Sequence, residues 1–182
     1  MSEPASALGH AAFEGFAFIR EIGPLGMLSL RAAPDLAGLP EALAALGLTR
    51  PEPRRITATG MRACGWMSPD EYLIVLPYDE ALAAMATLGQ HLSGTHHLVA
   101  NVSDARAVFR IEGDKAAQVL TKLMPVDFAM LAPGELRRSR AAQVAAAVWV
   151  QDGGFMLVCF RSAASYVMGL LSHSAMPGSE LL

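Results

Sequence analysis

Cysteine is almost absent from this sequence: Cys64 and Cys159 are the whole supply, far apart and outside any Cys-x-x-Cys pattern. Two isolated thiols build neither a disulfide framework nor a thiolate metal site, and they fit a reducing cytoplasm. Long apolar runs are missing as well. The most apolar stretches, 141–150 and 155–160, fall well short of the ~20 residues a membrane helix needs. The opening Met1-Ser2-Glu3-Pro4 has no basic region and no apolar stretch behind it, so no secretory signal is expected. Charge is sparse, at 17% of residues, with 14 Lys and Arg against 17 Asp and Glu and a net charge of −3. That balance leaves no electrostatic footprint for nucleic acid. Phosphate-binding glycine patterns are lacking too: there is no Gly-x-Gly-x-x-Gly, no Gly-x-x-x-x-Gly-Lys-Ser/Thr, and no Gly-x-Ser-x-Gly elbow.

What is present is apolar. Hydrophobic residues make up 53% of the 182, and mean hydropathy is +0.35. Such a surplus implies a generous core or a surface meant for a partner. The length suits one domain. The expected organisation is a flexible N-terminus over 1–12, a single α+β domain over 13–176, and a tail over 177–182.

Patterning predicts strands over 16–22 and 27–31 around a Gly23-Pro24 turn. A helix over 36–46 follows, closed by Gly47. Arg50-Pro51-Glu52-Pro53-Arg54-Arg55 reads as an exposed loop, because Pro51 and Pro53 remove donors and restrict their neighbours. Short strands are expected at 56–59 and 64–67, a turn at Ser68-Pro69-Asp70, and a fully apolar strand at 72–76. Asp79 can cap a helix with Leu82, Met85, Ala86 and Leu92 on one face. Strands 98–102 and 105–111 flank Ser103-Asp104, which reads as a hairpin turn. A helix starts at Gly113-Asp114, presents Ala116, Leu120, Leu123 and Met124, and stops at Pro125. One or two strands span 136–151, and Asp152-Gly153-Gly154 is a hairpin signal before 155–160. Ser162 can cap a last helix with Ala163, Tyr166, Val167, Leu170 and Leu171 at helical spacing. The sum is α+β: a mostly antiparallel sheet, strand pairs followed by helices that pack on it.

The residues suggest little chemistry. His96 and His97 are adjacent and point to opposite faces of a strand. With His91 they lack a nearby carboxylate or cysteine to complete a metal site. Asp70-Glu71, and Glu112 and Asp114 around Gly113, read as turn acids rather than an acid–base pair. Cys64 and Cys159 sit in apolar contexts. No catalytic, cofactor-binding or metal-binding residue is assigned. The interface candidates are Trp66, a residue type favoured at hot spots, and Arg137, Arg138 and Arg140. The last two share one strand face and could dock an acidic surface or cofactor phosphates.

Two segments carry a resemblance. Gly65-Trp66-Met67-Ser68-Pro69-Asp70-Glu71-Tyr72-Leu73-Ile74-Val75 resembles the Trp-x-x-Pro-Asp-Glu-Trp/Tyr-Leu run of sarcosine oxidase gamma subunits. Asn101–Arg106, Phe109–Ala116, Pro125-Val126-Asp127 and Pro133-Gly134 are similar to the first domain of the glycine-cleavage aminomethyltransferase superfamily, of which gamma subunits are short members. The likeness runs over about 16–173. It implies the fold of that first domain and a non-catalytic gamma subunit of heterotetrameric sarcosine oxidase. Such a complex demethylates sarcosine oxidatively to glycine and passes the one-carbon unit to tetrahydrofolate. It implies alpha, beta and delta subunits as partners, and FAD, FMN, NAD, zinc and tetrahydrofolate on those chains, in the cytoplasm. The same resemblance admits the equivalent subunit of an N-methylglutamate dehydrogenase, or a free-standing folate-binding one-carbon protein. Folate-using members carry acidic residues on the strand after the Pro-Gly turn; here 143–148 reads Gln-Val-Ala-Ala-Ala-Val, so no folate residue is assigned.

Overall fold

A computed structural model describes residues 4–181. The expected α+β class holds, with two antiparallel sheets in place of one. The chain forms two compact units: residues 25–104, and the two flanking segments 1–24 and 105–182 together.

The unit built from the flanking segments contains β1 (Ala12–Glu14), β2 (Phe18–Glu21), β8 (Arg106–Glu112), β9 (Leu136–Ala141), β10 (Val144–Gln151) and β11 (Gly154–Phe160). It also holds helices α3 (Ala116–Thr121) and α4 (Ala164–Ser174). Its six-stranded sheet runs β1-β2-β8-β11-β10-β9. Phe109, Leu157 and Val148 stand opposite one another across three strands and so share a face. That face is buried with Ile19 and Ile111 beneath Val119 and Leu120 of α3 and Val167 and Leu171 of α4. Each such side chain contributes roughly 1.5–3 kcal/mol when fully buried. The other face of the same strands, at Val108, Val158, Met156 and Trp149, is buried too.

The central unit contains β3 (Gly26–Ala32), β4 (Ile56–Thr59), β5 (Arg62–Ser68), β6 (Glu71–Leu76) and β7 (His97–Asn101). Its helices are α1 (Leu39–Ala44) and α2 (Ala81–His91). The sheet order is β4-β5-β6-β3-β7. Every residue of β6 is buried, and after Glu71, which pairs with Arg31, it reads as an unbroken apolar run. Leu28, Leu30, Ile74 and Leu76 pack under Leu39 and Leu43 of α1 and Ala84 and Leu88 of α2. Among the described residues no helix is long and apolar enough to cross a membrane.

The two units repeat one design. In each, a hairpin (β5–β6 or β10–β11) leads through a 3-10 turn (Tyr78–Glu80 or Arg161–Ala163) into an eleven-residue helix. Buried residues recur at one constant offset: Ile74 and Leu157, Ala81 and Ala164, Ala84 and Val167, Leu88 and Leu171, Leu92 and Ala175. Sheet order matches position for position, with β4, β5, β6, β3 and β7 corresponding to β9, β10, β11, β8 and β2.

Several local expectations are corrected. Strands β2 and β3 flank Gly23-Pro24 but enter different sheets, and Ser103-Asp104 is a 3-10 turn rather than a hairpin. There the Ser103 hydroxyl accepts the Met27 N–H at 2.9 Å and donates to Asn101 Oδ1 at 2.6 Å, so β7 returns to β3. Neither Asp79 nor Ser162 caps a helix through its side chain, because each lies inside a 3-10 turn. On α2 the buried face is Ala81, Ala84 and Leu88, and Leu82 is 67% exposed. On α4 it is Ala164, Val167 and Leu171, with Tyr166 52% exposed. Residues 1–3 and 182 of the expected loose termini lie outside the described residues. Ala5 and Ser6 accept hydrogen bonds from Arg161 at 3.0 Å, and the Leu181 N–H donates to Gln118 Oε1 at 2.9 Å.

Candidate functional site

Trp66 lies on β5, opposite Tyr72 of β6, where the pairing slips by one residue at a bulge before Ser68. Its ring is half-buried against the core of the central unit, whereas Tyr72 is fully buried. The two aromatics form the floor of a cleft of about 170 Å3 whose walls are Pro34, Pro51, Pro53 and Pro69. Arg50 and Glu52 stand at its edge, and Arg54 and Arg55 follow, all exposed.

The loop that makes this cleft is fixed at several points. Arg50 Nη1 donates to the Pro34 carbonyl at 3.0 Å. The Thr57 hydroxyl donates to the Thr49 carbonyl at 2.9 Å. The Trp66 N–H donates to the Arg55 carbonyl at 2.9 Å, and the Arg55 N–H to Glu52 at 3.0 Å. Prolines at 51 and 53 keep the loop out of the sheet ladder and give the cleft stiff walls. Trp149 differs from Trp66: it is buried, and its indole N–H donates to Gln151 Oε1 at 3.2 Å. Among the described residues the indole N–H of Trp66 has no protein acceptor.

The other candidates are scattered. Arg137, Arg138 and Arg140 lie on β9, the edge strand of its sheet. Arg138 and Arg140 are exposed on one face, as the sequence predicts, and Arg137 pairs with Glu135 at 3.1 Å. His96 and His97 line a wider cavity of about 510 Å3 with Arg31, Asp70 and Leu98. His97 Nδ1 lies 3.1 Å from the Thr95 carbonyl. Asp70 and Glu71 are gripped by Arg31 of β3, at 3.3 Å each. The Ser68 hydroxyl, and more weakly Arg31, holds the Asp70 carboxyl below its ordinary value. Glu112 ties Arg20 to Arg110, both at 3.2 Å. Burial pushes the Cys64 thiol to about 12 and the Cys159 thiol to about 11. A thiol so far from ionising makes a poor nucleophile or metal ligand at neutral pH.

Among the described residues no three His, Cys, Asp or Glu side chains come together to hold a metal ion. The stretch 143–148 enters β10 with Ala146, Ala147 and Val148 buried and no carboxylate. Sequence reasoning picked out Trp66 but missed its setting. The signal was the Pro-x-Pro loop flanked by arginines, which reads as a bare connection until β5 and β6 bring Trp66 and Pro69 beside it.

Comparison with known proteins shows the family and the fold. Residues 31–175 match the model of the sarcosine oxidase, gamma subunit family. A sarcosine oxidase subunit gamma from Arthrobacter sp. is 31% identical over 125 residues, covering 68% of this chain. The chain spans 61% of the length of that relative. Among solved structures, a chain of heterotetrameric sarcosine oxidase from Corynebacterium sp. U-96 superposes with a TM-score of 0.81 at 23% identity, covering 90% of this chain and 87% of that one. Glycine cleavage system aminomethyltransferase T from Bartonella henselae superposes with a TM-score of 0.64 at 15% identity, covering 83% of this chain and 44% of that one. At those identities both matches speak to fold alone, and the fold they give is the one expected.

Proposed function

As the chain belongs to the sarcosine oxidase gamma subunit family, we propose that it is a non-catalytic assembly subunit of a heterotetrameric sarcosine oxidase. In this reading the alpha, beta and delta chains carry FAD, FMN, NAD and zinc. They oxidise sarcosine to glycine and pass the one-carbon unit to tetrahydrofolate in the cytoplasm. The gamma chain supplies packing surface. The observation that carries the reading is the family match across most of the chain. Two features of the molecule support it: the half-buried Trp66 in its stiff cleft, and the arginines at 138 and 140 on an edge strand. Edge strands and half-exposed aromatics are common places for another chain to attach.

The test is recovery of the tagged full-length chain from its own host, read by intact mass and flavin absorbance. Flavin-carrying chains of an amine oxidase in fixed ratio, turning over sarcosine faster than N-methylglutamate, are expected. Recovery of the chain alone would overturn the assembly role. Preference for N-methylglutamate would leave the role standing and change the substrate.

A further inference from the structure

The cleft at Trp66 joins an apolar interior to a charged rim. Its floor is aromatic, its walls are proline, and its volume of about 170 Å3 suits one large apolar side chain. The loop that frames it carries Arg50, Arg54 and Arg55 against the single acid Glu52. With Asp35 beside the wall residue Pro34, the rim carries three arginines against two acids, a small positive excess in a chain whose net charge is −3. Asp70, next to the wall residue Pro69, is engaged by Arg31 and the Ser68 hydroxyl, so the cations not bound to it in the loop are the ones that face an incoming chain. The half-buried indole N–H is ready to donate to an incoming acceptor. Because the loop is already braced to Pro34, Thr57 and Trp66, little ordering is needed when the cleft fills.

We propose that the Trp66 cleft seats an extended acidic segment of a partner chain, with one large apolar side chain against Trp66 and flanking carboxylates against Arg50 and Arg54. This rests on the assembly reading and gives it a contact surface and a partner chemistry. The apolar knob supplies desolvated contact at the centre, and the arginines select acidic neighbours and steer approach.

The experiment uses the tagged full-length chain expressed in its own host. Arg54→Glu reverses charge at an exposed site, and Trp66→Ala empties the floor. Each is expected to lower recovery of the flavin-carrying chains at least 10-fold relative to the parent, while Trp66→Phe recovers most of it. Circular dichroism and a thermal melt establish that each variant is folded; should Trp66→Ala fail to fold, Arg54→Glu decides. In parallel, benzoylphenylalanine in place of Pro53 is irradiated in the complex. The cross-linked peptide is expected to carry Asp or Glu within a few residues of a Leu, Met, Phe or Tyr. Full recovery with Arg54→Glu, a cross-linked peptide without carboxylates, a cross-link to a second copy of this chain, or no cross-link at all in an intact complex overturns the cleft assignment. The assembly reading survives any of these. It fails, and the cleft assignment with it, only if the parent chain brings down no flavin-carrying chain.

Discussion

At the residue scale, Glu21 carries more of the structure than its place on a short strand suggests. It is 2% exposed, and its carboxylate collects the N–H groups of Ala7 at 3.3 Å, His10 at 3.1 Å and Gly23 at 3.0 Å. Burial pushes its carboxyl up. The Ser6 hydroxyl and the three N–H groups outweigh that and leave it below the ordinary carboxylate range. A depressed carboxyl contributes stability above its unfolded-state value and loses it as pH falls through the folded one. Glu21→Gln, which brings an NH2 toward those donors, should cost about 2 kcal/mol near neutral pH. The gap to the parent in urea melts should close as pH drops below the ordinary carboxylate range; a gap independent of pH would refute the charge argument. The cysteines make the opposite case. With thiols at about 12 and about 11 and both side chains buried, a maleimide at pH 8 should label neither in the native chain and both in denaturant. Labelling of the native chain at the rate of a free thiol would contradict this. Their apolar neighbours made the burial of Cys64 and Cys159 legible in sequence. Nothing local marked Glu21, whose donors come from residues on both sides of it that only the fold gathers.

At the element scale, what was legible follows local chemistry. Asp152 and Gly153 both have positive φ, 45° and 73°, as a two-residue hairpin of the right twist requires. Gly47, at φ 71°, ends α1 as expected. Its N–H donates to Ala44 at 2.8 Å and that of Leu48 to Leu43 at 3.0 Å, the paired bonds of a Schellman closure. Gly47→Ala should therefore cost about 1 kcal/mol, read as a lower urea midpoint with an unchanged slope. An unchanged midpoint would mean the helix end relaxes freely. Helix phase was less legible. Leu82 and Tyr166 are the bulky apolar residues a periodicity count seizes on, yet they face out. The 3-10 turns at Tyr78–Glu80 and Arg161–Ala163 reset the phase, so small residues, Ala81 and Ala164, meet the sheet first. The same shift in both helices reflects the repeated design, which few identical residues betray: Val75 and Val158, Ala81 and Ala164, Met85 and Met168, Leu88 and Leu171.

At the scale of the whole molecule, chain order and spatial order part company. The opening segment belongs to the unit that residues 105–182 complete. Strand β2 pairs with β8, Ile19 opposite Ile111, and such distant pairing leaves no trace in local pattern. That is why 16–22 and 27–31 read as neighbours around a turn. The placement has a measurable consequence. Ile19 is fully buried in the core of the flanking unit, so Ile19→Ala should destabilise that unit by roughly 2–5 kcal/mol. The two tryptophans lie one in each unit, Trp66 in the central one and Trp149 in the other, so single-tryptophan variants report on each separately. In a Trp66→Phe background, Ile19→Ala should move the urea transition seen by Trp149 to lower denaturant. The loss should match the one caused by Ile111→Ala, its partner across the strands. If the Trp149 transition stays put while Ile111→Ala shifts it, the first strands do not belong to that core, and its sheet would have to end at β8.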